Sequence, residues 1–257
     1  MNIMMKIDFN SDLGESFGNY AVGLDAEILK QVTSANIACG FHAGDPLIME
    51  KTVHLALAEK VAIGAHPGFP DLQGFGRRRL EMKLDDITAM VAYQVGALAA
   101  FTPKHKLHHV KAHGALYNMA ANDSAIANAV VTGIKLVDPE TIVYGLANSE
   151  LITAAKSANM KFAQEVFADR NYQADGSLVP RTQPNAVITD AQEAAQRALD
   201  MVTNKAVVAI TGETVSLSVD SICVHGDNQS AVALAKQIKQ LLIDNQVDIT
   251  SEITVRG

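Results

Sequence analysis

Four apolar segments of this chain each run into a histidine beside glycine: Gly40-Phe-His42-Ala-Gly44, Gly64-Ala-His66-Pro-Gly68, Lys111-Ala-His113-Gly114 and Val224-His225-Gly226. Small neighbours bury little area, so packing does not ask for this pattern. A ligand that approaches the backbone does. Histidine titrates near neutrality and is a common metal ligand. Four of them at equivalent positions point to one polar site built from several strand ends. His66, followed by Pro67, also reads as a loop anchor.

Carboxylates join them. Asp8, Asn10 and Asp12 alternate with Ile7, Phe9 and Ser11, and alternate strand residues share a face. Ile7 and Phe9 pack under helices, which turns the three polar residues inward. Buried carboxylates need a cation, a hydrogen-bond network or solvent. Asp12 is a candidate catalytic group or metal ligand, while Asp8 also suits an interior network. Glu15 sits in the turn Leu-Gly-Glu-Ser-Phe-Gly18, either facing a ligand or solvated.

His109, Lys111 and His113 share another strand face. Four residues of strand span about 13 Å at about 3.3 Å per residue, so one metal cannot take both histidines. His109 belongs deep in the core, and Lys111 and His113 nearer the rim. Lys111 suits either an interior aspartate or a substrate carboxylate. Arg77 or Arg78, in Gly74-Phe-Gly-Arg-Arg-Arg79, is a candidate anion clamp, with a solvated surface role as the alternative. Glu165 and Asp169 share a face of a later strand. Glu165 is a general-base candidate, or the ion-pair partner of Lys111.

Positioning these groups takes alternating strands and helices. Apolar runs occur at 6–9, 35–39, 61–65, 109–112, 141–146, 162–167 and 221–224. Helical periodicity follows several of them, as in Met49/Val53/Ala56 and Ile87/Val91/Val95/Leu98. Asp45 caps the first of these helices, with Pro46 in its first turn. Alternation of this kind implies a parallel sheet. No Gly-x-Gly-x-x-Gly or phosphate loop appears, which disfavours an open nucleotide-binding sheet. We therefore expect a single α/β domain over residues 1–257, an irregular seven-stranded parallel (β/α) barrel with histidines at its carboxyl end. Two irregular stretches, 67–82 and 169–189, are expected to lie over that end.

The net charge of −7, without long runs, argues against nucleic acid as a partner. No apolar run reaches the roughly 18–20 residues of a membrane helix, and the first residues lack the features of a signal peptide. Cys39 and Cys223 read as buried reduced thiols of a cytoplasmic protein.

Taken together, the motifs resemble those of the LamB/YcsF family. The segments that carry the resemblance are Asp8-Phe-Asn-Ser-Asp-Leu-Gly-Glu-Ser-Phe-Gly18, Ser34 to Pro46, Gly64 to Asp71, Gly74 to Arg78, Val110 to Tyr117, Glu165 to Arg170 and Cys223 to Asn228. They extend over nearly the whole chain. The resemblance implies a barrel like those of glycoside hydrolases and polysaccharide deacetylases. It implies the role of the A component in an ATP-hydrolysing 5-oxoprolinase, which converts 5-oxo-L-proline, ATP and water to L-glutamate, ADP and phosphate together with subunits B and C. ATP and its Mg2+ are then expected on the partner subunits.

Asp12, Glu165, His42 and His113 are the candidate catalytic groups. Asn10, Lys111, Arg77, His66, Asp169 and His225 are the candidate substrate contacts. Asp12, His42 and His113 would also suit a bound divalent ion. The alternatives are a stand-alone metal-dependent deacetylase or amidase, or a non-catalytic protein that binds a lactam or carbohydrate. A homo-oligomer is compatible with either.

Overall fold

A computed structural model describes residues 5–224, 229–253 and 255. In chain order its elements are β1 (Lys6–Leu13), α1 (Asp25–Ile28), β2 (Ser34–Ala38), α2 (Pro46–Ala58), β3 (Ala62–His66), α3 (Leu84–Ala99), β4 (His109–Lys111), α4 (Gly114–Asn122) and α5 (Ser124–Val137). There follow β5 (Ile142–Leu146), α6 (Glu150–Ser157), β6 (Phe162–Phe167), α7 (Ala191–Asn204), β7 (Ala206–Val208), β8 (Thr214–Ser216), β9 (Ser221–Cys223), α8 (Gln229–Asp244) and β10 (Asp248–Ile249).

The strands β1-β2-β3-β4-β5-β6-β9 lie side by side, all parallel, and β9 pairs back onto β1 to close the barrel. This is the seven-stranded barrel expected from the alternation. Closure removes every barrel edge. It also aims one face of each strand at a shared interior, where Asp8 stands level with Ser221 and Asp12 with Asn36. Short β10 pairs with the start of β1, and β7 and β8 form a separate antiparallel hairpin.

The helices cover the outside. Ile7 and Phe9 of β1 point outward into the apolar shell and are fully buried, as are Val53 of α2 and Val91 of α3. Local chemistry sets the helix starts. Asp45 accepts from the backbone N–H of Leu47 and Ile48 with Pro46 at the first position of α2, as its sequence suggests. Asp123 does the same for α5.

The interior is polar and layered. At the bottom, Asp8 accepts hydroxyl hydrogen bonds from Thr33 (2.7 Å), Ser34 (2.6 Å), Tyr144 (3.1 Å) and Ser221 (2.6 Å). Asp8 thus belongs to an interior network. His109 lies one layer up, fully buried, stacked on Tyr144 and donating to Asn36 at 2.7 Å. Its ring fills the space that a side chain on Gly64 would take, because a Cβ there would meet the imidazole at 2.3 Å. Among the described residues, no helix is long and apolar enough to cross a membrane.

Candidate active site

The carboxyl ends of the strands open into a cavity of about 840 Å³. Its floor carries Asp12, His66, Lys111 and His113. Its walls include Phe75 and Arg77 from the stretch after β3, and Arg170 and Arg181 from the stretch after β6. Both stretches expected over the barrel mouth therefore help to form it. The second is more ordered than its composition suggests. It folds back on itself through bridges between Arg170 and Val187 and between Tyr172 and Leu178. Arg170 also donates to the carbonyls of Val179 and Ala186.

Below the floor lies a buried ion cluster. The Lys111 ammonium is within 2.8 Å of Glu165 Oε1, 3.1 Å of Asp12 Oδ1, 3.2 Å of Asn10 Oδ1 and 3.0 Å of Cys223 Sγ. Burial alone would depress the ammonium. Asp12, Cys223 and Glu165 together outweigh that effect and hold its pKa well above the ordinary lysine value. Glu165 is fully buried, and its oxygens accept from Asn10 (2.8 Å) and Tyr117 (2.8 Å) besides Lys111. Of the two roles open to Glu165, the ion pair with Lys111 is present, and Glu165 does not line the cavity. Asp12 does line it. One of its oxygens is held by Lys111 and Asn36, and the other faces His66 Nε2 at 3.3 Å.

Three of the four histidines that follow barrel strands meet above Asp12. His66 Nδ1 donates to the carbonyl of Lys111 at 2.7 Å, and its Nε2 lies 2.9 Å from His113 Nδ1. His113 Nε2 donates to the carbonyl of Phe75 at 2.8 Å. His42 stacks on His113, with ring centres 3.7 Å apart and planes within 3°. Burial, with His66 as the next contributor, pushes the His113 pKa down to about 3. His42 is pushed in the same direction by burial and by His113. Neither ring nitrogen of His42 has a hydrogen-bond partner, although the residue is only 1% exposed. An unsatisfied buried donor costs about 1–3 kcal/mol.

Glycines permit this crowding. A Cβ on Gly68 would come within 2.6 Å of His42 Nδ1. One on Gly76 would lie 2.7 Å from His42 Cβ and 2.8 Å from His113 Cδ2. Gly68 is pinned by the buried amide of Gln94, which bonds both its N–H and its carbonyl. The loop that carries Phe75 and Gly76 is closed by Asp71, which accepts from Gly74 N–H and from the Arg78 guanidinium. Arg78 is thereby engaged at the surface, while Arg77 stands at the cavity wall over the Phe75 ring.

Asp12, His42, His66 and His113 thus come together, with Asn10, Lys111 and Glu165 beneath them. Asp169 is partly exposed and does not line the cavity, whereas its neighbour Arg170 does. His225 lies outside the described residues. Cys39 is a buried thiol, as its apolar strand suggests, and burial pushes it up to about 12. Two participants are less evident in the sequence. Glu15 has a solvated turn as its alternative reading, yet its Oε1 lies 3.8 Å from His42 Nε2 and 4.0 Å from His113 Nδ1. Tyr117, on α4, ends the segment Val110 to Tyr117 but is not among the candidate site residues of the sequence, and its hydroxyl donates to Glu165. Its signal is position, since a helix opening at Gly114 turns it back over the barrel.

A model of the LamB/YcsF family matches residues 7–256. The chain is 59% identical over 246 residues to a protein of Limosilactobacillus fermentum named as the A component of 5-oxoprolinase, covering 96% of this chain and 99% of that one. A solved structure described as a lactam utilization protein from Thermus thermophilus superposes with a TM-score of 0.90 at 42% identity, over 96% of this chain and all of that one. A GH113 β-1,4-mannanase shares the barrel architecture alone, with a TM-score of 0.51 at 10% identity over 92% of this chain and 99% of that one. With a family model matched from the first barrel strand almost to the last residue, this chain belongs to the LamB/YcsF family.

Proposed function

We propose that this protein is the A component of an ATP-dependent 5-oxoprolinase, and that its barrel mouth is where the lactam ring of 5-oxo-L-proline is opened to L-glutamate. The observation that carries the reading is the end-to-end identity of 59% with a protein of that name. The site's chemistry is compatible with it. A five-membered lactam is a stable amide whose opening is uphill near neutrality, so ATP supplies the driving force. The sequence contains no phosphate-loop motif. ATP and Mg2+ are therefore assigned to partner subunits, of the B and C kind that the family resemblance implies.

Within the barrel, Asp12 is the group best suited to activate water. It faces the cavity, and Lys111 holds one of its oxygens while the other is directed at His66. Glu165 is set too deep for that task and instead fixes Lys111. The histidine cluster beside Asp12 marks the end of the cavity we assign to the lactam oxygen, and the proton that Asp12 takes from water is the one returned to the leaving nitrogen. Arg77 and Arg170 at the wall offer charge to the substrate carboxylate.

Glutamate release from 5-oxoproline plus ATP tests the proposal, measured for this chain alone and with candidate partner subunits. Release only in the mixture supports it. No release from a mixture of folded subunits overturns it.

A further inference from the structure

We infer that Glu15, His42, His66 and His113 form a binding site for one divalent transition-metal ion of the zinc class. Each offers one ligand atom, and the four atoms lie within 4.8 Å of one another. The residues come from consecutive barrel segments: the turn after β1, the loop after β2, the last position of β3 and the loop after β4.

Hydrogen-bond geometry fixes which nitrogens face inward. His66 Nδ1–H is given to the Lys111 carbonyl, and His113 Nε2–H to the Phe75 carbonyl. In the neutral rings the remaining lone pairs, on His66 Nε2 and His113 Nδ1, confront each other across 2.9 Å. Two lone pairs at that distance need a positive centre beside them. Nitrogens bound to one tetrahedral zinc at about 2.0–2.1 Å stand roughly 3.3 Å apart, which is close to the observed spacing. Backbone carbonyls on the far ring nitrogens are also the usual outer partners of metal-bound histidines.

His42 supplies the independent observation. Its two ring nitrogens are buried without hydrogen-bond partners. Nδ1 abuts Gly68, which turns Nε2 toward Glu15. A metal ion gives that nitrogen its missing partner. The neighbouring charge points the same way, because the carboxylates of Asp12, Glu15 and Glu165 gather around the Lys111 ammonium and the histidines.

Three imidazoles and one carboxylate suit zinc, cobalt or nickel rather than magnesium or calcium. Glu15, His66 and His113 line the cavity, so the site is open to it, as in catalytic metal centres. The site follows from side-chain geometry and holds whatever the substrate proves to be.

The test is metal binding by the full-length, chelator-stripped, untagged chain, with Zn2+ counted after dialysis and Co2+ read by its visible absorption. The expected result is one equivalent per chain with a tetrahedral-type Co2+ spectrum. His42→Ala should abolish that spectrum, and Glu15→Gln should weaken affinity at least about 10-fold, the smaller loss seen for outer partners. His54→Ala and His105→Ala, at exposed positions, should change nothing. If His42→Ala fails to fold, Glu15→Gln decides. A folded wild-type chain that retains less than about a tenth of an equivalent overturns the inference. So does binding that Glu15→Gln leaves intact.

Discussion

The Nζ of Lys111 and the Oδ1 of Asp12 lie 3.1 Å apart, one strand's last residue against the seventh residue of another, at the level where the polar interior gives way to the cavity. Lys111 is 2% exposed and also holds Glu165. Removing the ammonium strands two carboxylates in the barrel. Lys111→Met is therefore expected to lower unfolding free energy by about 3–5 kcal/mol, the usual cost of breaking a buried pair from one side. Urea denaturation of the purified chain measures this, and a loss below about 1 kcal/mol contradicts the cluster.

Glu165→Gln separates positioning from acid–base work. The amide preserves the side chain's shape and one acceptor for Lys111 while removing its charge. We expect lower stability, together with a turnover that falls by less than that of Asp12→Asn. A larger kinetic loss for Glu165→Gln, at unchanged stability, would return the general-base role to Glu165.

Gly76 has a positive φ of 63°, and a side chain there would collide with both His42 and His113. Gly76→Ala is expected to cost about 1–3 kcal/mol, as overpacking does, and to abolish turnover by displacing the stacked rings. Gly96 is the control. It lies within α3 with nothing within 4 Å of the added methyl, so Gly96→Ala should stabilise by up to about 1 kcal/mol. Thermal melts of the two variants should move in opposite directions.

Asp71 links the cavity loop to pH. The Arg78 hydrogen bond holds its carboxyl below the ordinary aspartate value. A depressed folded pKa means that the stabilisation is complete above the unfolded aspartate value, about 3.9, and is lost as pH falls through the lower folded value. Asp71→Asn should therefore lose less stability than wild type on acidification below about pH 4. Parallel denaturation curves at pH 6 and pH 3 check the sign, and identical acid sensitivity would contradict it.

The architecture is readable in the sequence because each barrel strand is a short apolar run followed by a turn with distinctive residues. Asp45-Pro46 and the histidine–glycine pairs mark strand ends directly. The alternation of Asp8, Asn10 and Asp12 gives the inward face of β1, and the length of a strand separates His109 from His113.

Other features depend on contacts that a single sequence does not encode. The β7–β8 hairpin is made of three-residue strands, too short for periodicity to register. Helix α4 opens with glycine, a poor helix former, which hides Tyr117. Whether Lys111 holds a substrate or an interior carboxylate depends on Glu165 arriving from β6, more than fifty residues later. The place of Glu15 among the histidines requires the turn after β1 to fold over the barrel mouth.

The role of Asp12 is settled by the rate of glutamate formation from 5-oxoproline and ATP, measured for Asp12→Asn and wild-type chains combined with the same partner subunits. The variant is expected to be at least approximately 100-fold slower, the loss that follows removal of an acid–base group, with folding and assembly unchanged. A folded, assembled Asp12→Asn complex that releases glutamate at the wild-type rate would contradict that role.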